Sequence, residues 1–283
     1  MSVIIFGNNR YFKIDSSAEG FTINNCEIST NKSRAANVVS KNGFVDCFGT
    51  LAFEQLNLDP YWFTSYEIPE HVSSFNEKLT FEMDISESVS SSVHNLYNCL
   101  WLLRDNSANI IEAHSYNEND RRGFNRQRDA LFSNAKGEFE TQTFSKKELR
   151  KAAEYAEKLR VLSGIQQIEG EPLEVPNEVR LGGMEYILYK SQNRIDRAIV
   201  FLSLARGNFY LPLKISFYIA ILESLFTTDN NEVTHKVTER VVFYLEGSGT
   251  EKRSNFDLVK KAYGIRSKFV HGQKMDTKSV FWN

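Results

Sequence analysis

The stretch Leu211-Pro-Leu-Lys-Ile-Ser-Phe-Tyr-Ile-Ala-Ile-Leu-Glu-Ser-Leu-Phe226 decides the fold of the C-terminal part of this chain. Its apolar residues would lie on most sides of a helix, which is typical of the central helix in a bundle. Pro212 falls in the first turn, where the amide that proline lacks would have no helical partner. Glu223 lies among the apolar residues, and burying it without a partner would be costly.

Apolar residues at helical spacing predict further helices on both sides of this stretch. These predicted helices are Met184–Ala205, Glu232–Leu245 and Ser254–His271. The last would begin with the capping box Ser254-Asn-Phe-Asp257 and end at Gly272. Short connections between helices of this length favour an antiparallel bundle. The connector 164–183 is rich in glycine and proline, so we predict one domain at 1–183 and a helical domain at 184–283.

The N-terminal region has a different pattern, in which short alternating stretches are bounded by Gly, Asn or Ser. The strands predicted in this way are Tyr11–Ile14, Phe21–Asn24, Phe44–Phe48 and Leu79–Ile85. A helix is predicted at 89–104, and a second one begins at the capping box Ser145-Lys-Lys-Glu148 and runs to Leu162. The intervening basic run at Arg121, Arg122, Arg126 and Arg128 is interpreted as a solvated loop. The chain is therefore predicted to be an α+β protein, with a strand-rich N-terminal domain and an all-α C-terminal bundle.

Composition and targeting signals narrow the class of protein. Hydrophobic residues make up 41% of the 283 residues and charged residues 25%, as in ordinary globular proteins. No apolar run is long enough for a membrane span and no signal peptide is visible, so we expect a cytoplasmic protein. The sparse cysteines Cys26, Cys47 and Cys99 are interpreted as buried or half-buried thiols. With the scattered histidines, they predict no metal site.

Charge is unevenly distributed along the chain. The formal net charge is −2, which does not by itself indicate nucleic-acid binding. Between Lys236 and Lys274, however, nine Lys and Arg against four Asp and Glu give a local charge of +5. Such a surface can attract phosphate, although a solvated helix face accounts for the excess equally well.

Three segments of the C-terminal region resemble a known family. They are Leu222-Glu-Ser-Leu-Phe226, Glu239-Arg240 and Tyr263-Gly-Ile-Arg-Ser-Lys-Phe-Val-His-Gly272. Together with Arg197-Ala198 and Leu211-Pro-Leu-Lys-Ile215, they resemble the signature of Apea-like HEPN domains. The resemblance covers about 194–272, and more loosely the upstream segment around Trp101.

The resemblance implies a metal-independent ribonuclease or a fold derived from one, with RNA as substrate and no cofactor. Members of the family act in antiviral defence or as toxins, and pair two domains so that two Arg/His sets meet. It implies that Arg266 and His271 are the catalytic residues and that the chain forms a homodimer. The N-terminal domain would then sense an unknown trigger or restrain the site.

The chemistry of the two residues agrees with that implication. Histidine can take or give a proton near neutral pH, and arginine presents a fork of donors to phosphate oxygens. The RNA 2′-hydroxyl becomes an internal nucleophile once its proton is removed. Positions 266 and 271 are about 140° apart around a helix, whereas Ser267 and His271 lie on one stripe. This divergence favours a site shared between two symmetry-related chains.

Several roles stay open from the sequence alone. Glu223 is predicted to pair with Arg240, either as a structural ion pair or to position RNA. Lys268 and Ser267 are predicted to contact RNA or support the site. An equally good alternative for Lys268 is a solvated side chain, and the alternative for His271 is a residue that only stabilises a helix end. The alternative functions are a non-catalytic HEPN module that binds nucleotide or RNA or acts as a scaffold, and a helical protein-interaction domain.

Overall fold

The computed structural model describes residues 2–23, 25–31, 33, 44–58, 60–127, 131–162, 193–228 and 232–274. The chain forms two compact units, Met1–Ala156 and Glu157–Asn283. The first contains a β-sheet with helices and the second is helical in its described part, which confirms the α+β class. The domain boundary predicted at residue 183 lies outside the described residues.

An antiparallel sheet of six strands forms the centre of the N-terminal unit. Its strand order is β3-β4-β5-β1-β6-β7, and each neighbouring pair is antiparallel. The strands are β1 (Ser2–Arg10), β3 (Phe21–Ile23), β4 (Cys26–Ser29), β5 (Tyr61–Glu67), β6 (Asn109–Asn117) and β7 (Arg122–Gln127). A separate parallel pair joins β2 (Phe12–Ile14) to β8 (Gln142–Phe144). The strands predicted at 11–14 and 21–24 are therefore confirmed over 12–14 and 21–23, and Asn24 lies outside the described residues.

Helix α2 (Phe75–Leu103) packs on one face of the sheet, against β6 and β1. It begins with a capping box formed by Ser74 and Glu77. The strand predicted at Leu79–Ile85 is wrong, because this segment belongs to α2. Glu82, which is buried, accepts hydrogen bonds from Asn117 at 2.7 Å and from Arg122 at 2.9 Å. These contacts orient the first turns of the helix.

Helix α1 (Phe44–Leu58) packs against β7 and β1. The strand predicted at Phe44–Phe48 is wrong, because these residues form the first turns of α1. Gly49, with φ of +80°, kinks the helix directly afterwards. The Phe48 ring meets the edge of the His114 ring, with 4.9 Å between ring centres. His114 lies three residues before Asn117, which contacts α2, so the two side chains point to opposite faces of the sheet. Helix α1 therefore covers the face opposite α2.

Two arginines of the basic run predicted to lie in a loop instead belong to the sheet, whereas Arg121 lies in the turn before it. Arg122 and Arg126 belong to β7 and form ion pairs with Glu82 and Glu87 of α2. Arg128 lies outside the described residues. These arginines hold a helix to the sheet, which the local sequence could not indicate.

The helix predicted after Ser145 is confirmed as α3 (Lys146–Leu162). The Glu148 carboxylate accepts hydrogen bonds from the Ser145 amide and hydroxyl at 2.9 Å. The division between the two compact units falls within this helix.

Four helices are described in the remainder of the C-terminal unit. They are α4 (Arg194–Arg206), α5 (Leu211–Phe226), α6 (Val233–Tyr244) and α7 (Gly249–Val270). Helix α5 has the predicted bounds and packs against the other three, as a central helix does. The core joins Ile219 of α5, Val237 and Val241 of α6, and Tyr263 of α7. The predicted helix residues 184–192 lie outside the described part of the chain.

The start of α7 differs from the prediction. The capping box is formed by Ser248 and Glu251, so the helix begins at Gly249 and Ser254 lies inside it. Both Ser-x-x-acid patterns fit the rule for a helix start, and the upstream one is used because nothing between them interrupts a helix.

A buried lysine fixes the turn between α4 and α5. Lys214 is fully buried, and its Nζ donates to the carbonyl oxygens of Ala205 at 2.8 Å and Asn208 at 3.0 Å. These carbonyls lie at the C-terminal end of α4, where a cation is favoured. Within the described ranges, none of the helices combines the length and apolar character needed to cross a bilayer.

Candidate active site

A groove of about 450 Å³ runs along the last turns of α7. It is lined by Thr234 of α6 and by Lys260, Tyr263, Gly264, Arg266, Ser267, Val270 and His271. Most of these α7 residues recur at three- and four-residue intervals, so they share one side of the helix. Arg266 and His271 line this groove together, although their positions diverge around the helix axis.

Arg266 is anchored by an acidic residue of the central helix. Its Nη1 donates to Oε1 of Glu223 at 2.8 Å, and the two side chains are 36% and 24% exposed. A guanidinium has five N–H donors, and this bond occupies one nitrogen. Glu223 therefore sets the direction of the Arg266 side chain while other donors remain for a ligand.

The predicted ion pair between Glu223 and Arg240 is wrong. Arg240 Nη1 instead donates to the carbonyl oxygen of Phe226 at 2.5 Å, at the C-terminal end of α5. The negative end of a helix attracts a guanidinium, so Arg240 supports the end of α5. The partner of Glu223 is Arg266, which makes Glu223 part of the groove's support.

Tyr263 lies between the bundle core and the groove. Its side chain is buried, and burial together with the nearby Glu223 carboxylate raises the pKa of its hydroxyl. The hydroxyl is therefore protonated at neutral pH and is no base. Tyr263 also belongs to the core cluster with Ile219, Val237 and Val241.

His271 occupies the C-terminal cap of α7 and is exposed. The His271 amide donates to Ser267 O at 3.0 Å, Gly272 N to Phe269 O at 3.2 Å, and Gln273 N to Lys268 O at 2.8 Å. The last two bonds form a Schellman motif, which requires the left-handed φ of +64° at Gly272. His271 thus lines the groove from a closed helix end.

The remaining predicted residues divide between the groove and the surrounding surface. Ser267 lines the groove, one helical turn from His271. Lys268 is exposed but does not line the groove. Sequence analysis missed Lys260 and Thr234. Lys260 could have been found, since it lies seven residues before Ser267 and eleven before His271, on the same helical stripe.

The N-terminal aromatic residues pack in the core. Tyr61 and Trp62 are 2% and 0% exposed, whereas Trp101 is half-buried and its Nε1 donates to Asp105 at 2.8 Å. In the part of the chain that the structure describes, no group of three or more His, Cys, Asp and Glu is arranged to hold a metal ion.

The three cysteines are free thiols. Cys26 and Cys99 are buried as predicted, and burial raises the pKa of their thiols to about 12 and about 11. Cys47 is exposed, which differs from the prediction.

Comparison with protein-family models, with curated proteins and with solved structures found no match for this chain.

Proposed function

We propose that the C-terminal unit is a HEPN-type domain that cleaves RNA without a metal ion, as a homodimeric endoribonuclease. The observation that carries the proposal is that Arg266 and His271 line one groove. A proton-transfer group and a phosphate-binding cation thus face the same space. The resemblance of the motif to Apea-like HEPN domains adds a biological setting in defence or as a toxin.

The proposed reaction uses the RNA's own hydroxyl. His271 accepts the proton of the 2′-hydroxyl, and the 2′-oxygen attacks the adjacent phosphorus. The bond from O2′ to phosphorus forms while the bond from phosphorus to O5′ breaks, and O5′ takes up a proton. The products are a 2′,3′-cyclic phosphate and a 5′-hydroxyl end.

Arg266 stabilises the negative charge that develops on the phosphoryl oxygens. Its anchoring by Glu223 supports this role, because a donor already oriented needs little reorganisation during the reaction. Removing one such oriented donor costs roughly 3–4 kcal/mol of barrier lowering in other enzymes. Ser267 lies between the two residues along α7 and is available as a further polar contact.

A second copy of the chain completes the proposed site. Exposed apolar side chains lie at the C-terminal end of α7, where Val270 lines the groove. Val270 is 63% exposed and Phe209 74%, while Tyr210 is half exposed and its ring contacts Phe269 at 5.8 Å between centres. A two-fold dimer that pairs the α7 helices would cover this surface and bring two Arg/His sets together.

One observation favours a non-catalytic alternative, in which the domain binds nucleotide or RNA, or acts as a scaffold. The Glu223 carboxylate balances the charge of Arg266, so the groove is less cationic than its lining suggests. A site that only binds phosphate can use the remaining N–H donors of Arg266 despite that charge balance. A nuclease also requires His271 to transfer a proton. The cleavage assay decides between them.

The test is cleavage of a single-stranded RNA by the full chain in EDTA. Wild-type protein is expected to produce cyclic-phosphate ends, and His271→Ala and Arg266→Ala each to reduce the rate at least 1,000-fold, about 4 kcal/mol. Lys268→Ala, on the same helix outside the groove, serves as the matched control and is expected to stay active.

Mixing the two inactive variants tests the shared site. If a site takes His271 from one chain and Arg266 from the other, some mixed dimers hold one intact set and activity returns. Cleavage by His271→Ala alone would overturn the proposed mechanism. Complete loss of wild-type cleavage in EDTA would overturn it as well. A strictly monomeric active protein would overturn the dimer.

A further inference from the structure

The groove extends beyond Arg266 and His271 toward the middle of α7, where it is lined by Lys260. We infer that Lys260 binds an RNA phosphate next to the scissile one and so positions the strand along α7. This inference rests on the proposed function, since it names how that site holds its substrate.

The spacing along α7 suits a neighbouring phosphate. At a rise of 1.5 Å per residue, the backbone position of Lys260 lies about 16 Å from that of His271 and about 9 Å from that of Arg266 along the helix axis. Tyr263, Gly264 and Ser267 connect these positions along the same groove. A strand lying in the groove with its scissile phosphate at Arg266 would carry its next phosphates toward Lys260.

The charge of Lys260 is less engaged than that of Arg266. Among the residues that the structure describes, no carboxylate forms an ion pair with Lys260, whereas Arg266 is paired with Glu223. The Lys260 ammonium lies 5.6 Å from the centre of the Phe256 ring, a cation–π contact that does not neutralise its charge. An ammonium is a compact point charge, which suits a phosphate without base recognition.

Lys268 provides a matched control for this inference. It is an exposed lysine on the same helix, but it does not line the groove. Replacement of either lysine changes the net charge of the protein equally. A difference between the two variants therefore reports position and not overall charge.

The experiment measures binding of a single-stranded 2′-O-methyl oligonucleotide of about 12 nucleotides, which spans a site of this kind. This probe cannot be cleaved, because it lacks the free 2′-hydroxyl. We expect K260Q to weaken binding about four-fold in 0.15 M salt and to reduce the slope of log affinity against log salt by about 0.7, the value for one phosphate contact on a single strand. K260R should restore the slope, and K268Q should leave it unchanged.

Each outcome is decisive. An unchanged slope for K260Q, an equal loss for K268Q, or no binding by wild-type protein would overturn the inference. If the Lys260 effect appears but RNA is never cleaved, the inferred contact stands and the proposed nuclease activity fails. Thermal unfolding of K260Q by circular dichroism is expected to match the wild type, since Lys260 is exposed.

Discussion

The two units differ in how completely they bury their aromatic rings. In the N-terminal unit the rings of Trp62, Tyr97 and Phe6 are at most 1% exposed. In the C-terminal unit Phe209 is 74% exposed and Phe243 77%. Among the described residues, the aromatic rings that are fully buried all lie in the first unit, although its Phe75 is also 64% exposed. Stability and function are expected to respond to mutation in different units.

The largest expected effect tests the core of the N-terminal unit. Trp62 is fully buried, and its ring lies so close to Gly7 that an added methyl group there would come within 2.5 Å of it. Trp62→Ala is expected to lower the free energy of unfolding by roughly 3–5 kcal/mol, since the cavity cannot close fully. Amide hydrogen exchange of the peptides that contain β1, β5 and β6 measures this change.

Phe243→Ala is the corresponding substitution in the C-terminal unit. Since that ring is exposed, the change in unfolding free energy is expected to stay within about 0.5 kcal/mol. Equal losses for Trp62→Ala and Phe243→Ala would remove the contrast between the two units. They would also show that Phe243 is covered in solution.

A smaller effect is expected at the support of the groove. Glu223→Ala releases Arg266, and the rate of RNA cleavage should fall about 10- to 100-fold because a misplaced donor stabilises the reaction poorly. The free energy of unfolding should fall by about 1 kcal/mol or less, since both side chains are partly exposed. Single-turnover cleavage and urea unfolding measure the two effects.

Glu239→Ala is the matched control for Glu223→Ala. Glu239 lies on α6 and its side chain is 49% exposed beside His235, so neither measurement should change much. Faster cleavage by Glu223→Ala would reverse the interpretation, because Glu223 would then restrain Arg266 and not orient it.

The smallest expected effect is at alkaline pH. Burial and Glu223 raise the pKa of Tyr263, so the folded C-terminal unit favours the neutral phenol. Its contribution to stability is present below the unfolded value near pH 10 and is lost as pH rises above it. In the N-terminal unit the thiols of Cys26 and Cys99 also have raised pKa values. The N-terminal unit therefore begins to lose stability near the unfolded pKa of a thiol, about 8.5.

Tyr263→Phe should therefore weaken the dependence of unfolding free energy on pH above about 10, while leaving the dependence between about 8.5 and 10 unchanged. Denaturant unfolding at a series of pH values, followed by circular dichroism, measures it. Tyr244→Phe is the control, since that ring is 77% exposed. The same pH dependence in wild type and Tyr263→Phe would contradict the assignment.

Local sequence predicted those elements whose structure depends on local rules. Helix α5 has the bounds that its apolar pattern predicts, and α3 begins at the capping box of Ser145. The prediction for segment 79–85 is wrong because its apolar alternation fits a strand, whereas the segment continues a helix whose Glu82 is buried against Arg122, 40 residues away. The Ser74-x-x-Glu77 pattern was the available signal for the helix.

The candidate site shows the same limit. Arg266, Ser267 and His271 were predicted from one motif, and they line one groove. The partner of Glu223 was wrong, because Arg240 and Arg266 are equivalent in charge and only the packing of α5 against α7 selects between them. Pairings between helices need tertiary geometry, and local pattern does not contain it.

The closed end of α7 has a consequence for the conformational entropy of the proposed reaction. Because the amides of His271, Gly272 and Gln273 are all bonded to carbonyls of the last turn, the backbone beneath the imidazole is ordered before any RNA arrives. Fixing one residue of free chain costs about 1–2 kcal/mol at room temperature. Folding has already met that cost at His271, so in the proposed ribonuclease reaction the binding energy of RNA would not be consumed in arranging the backbone that carries His271.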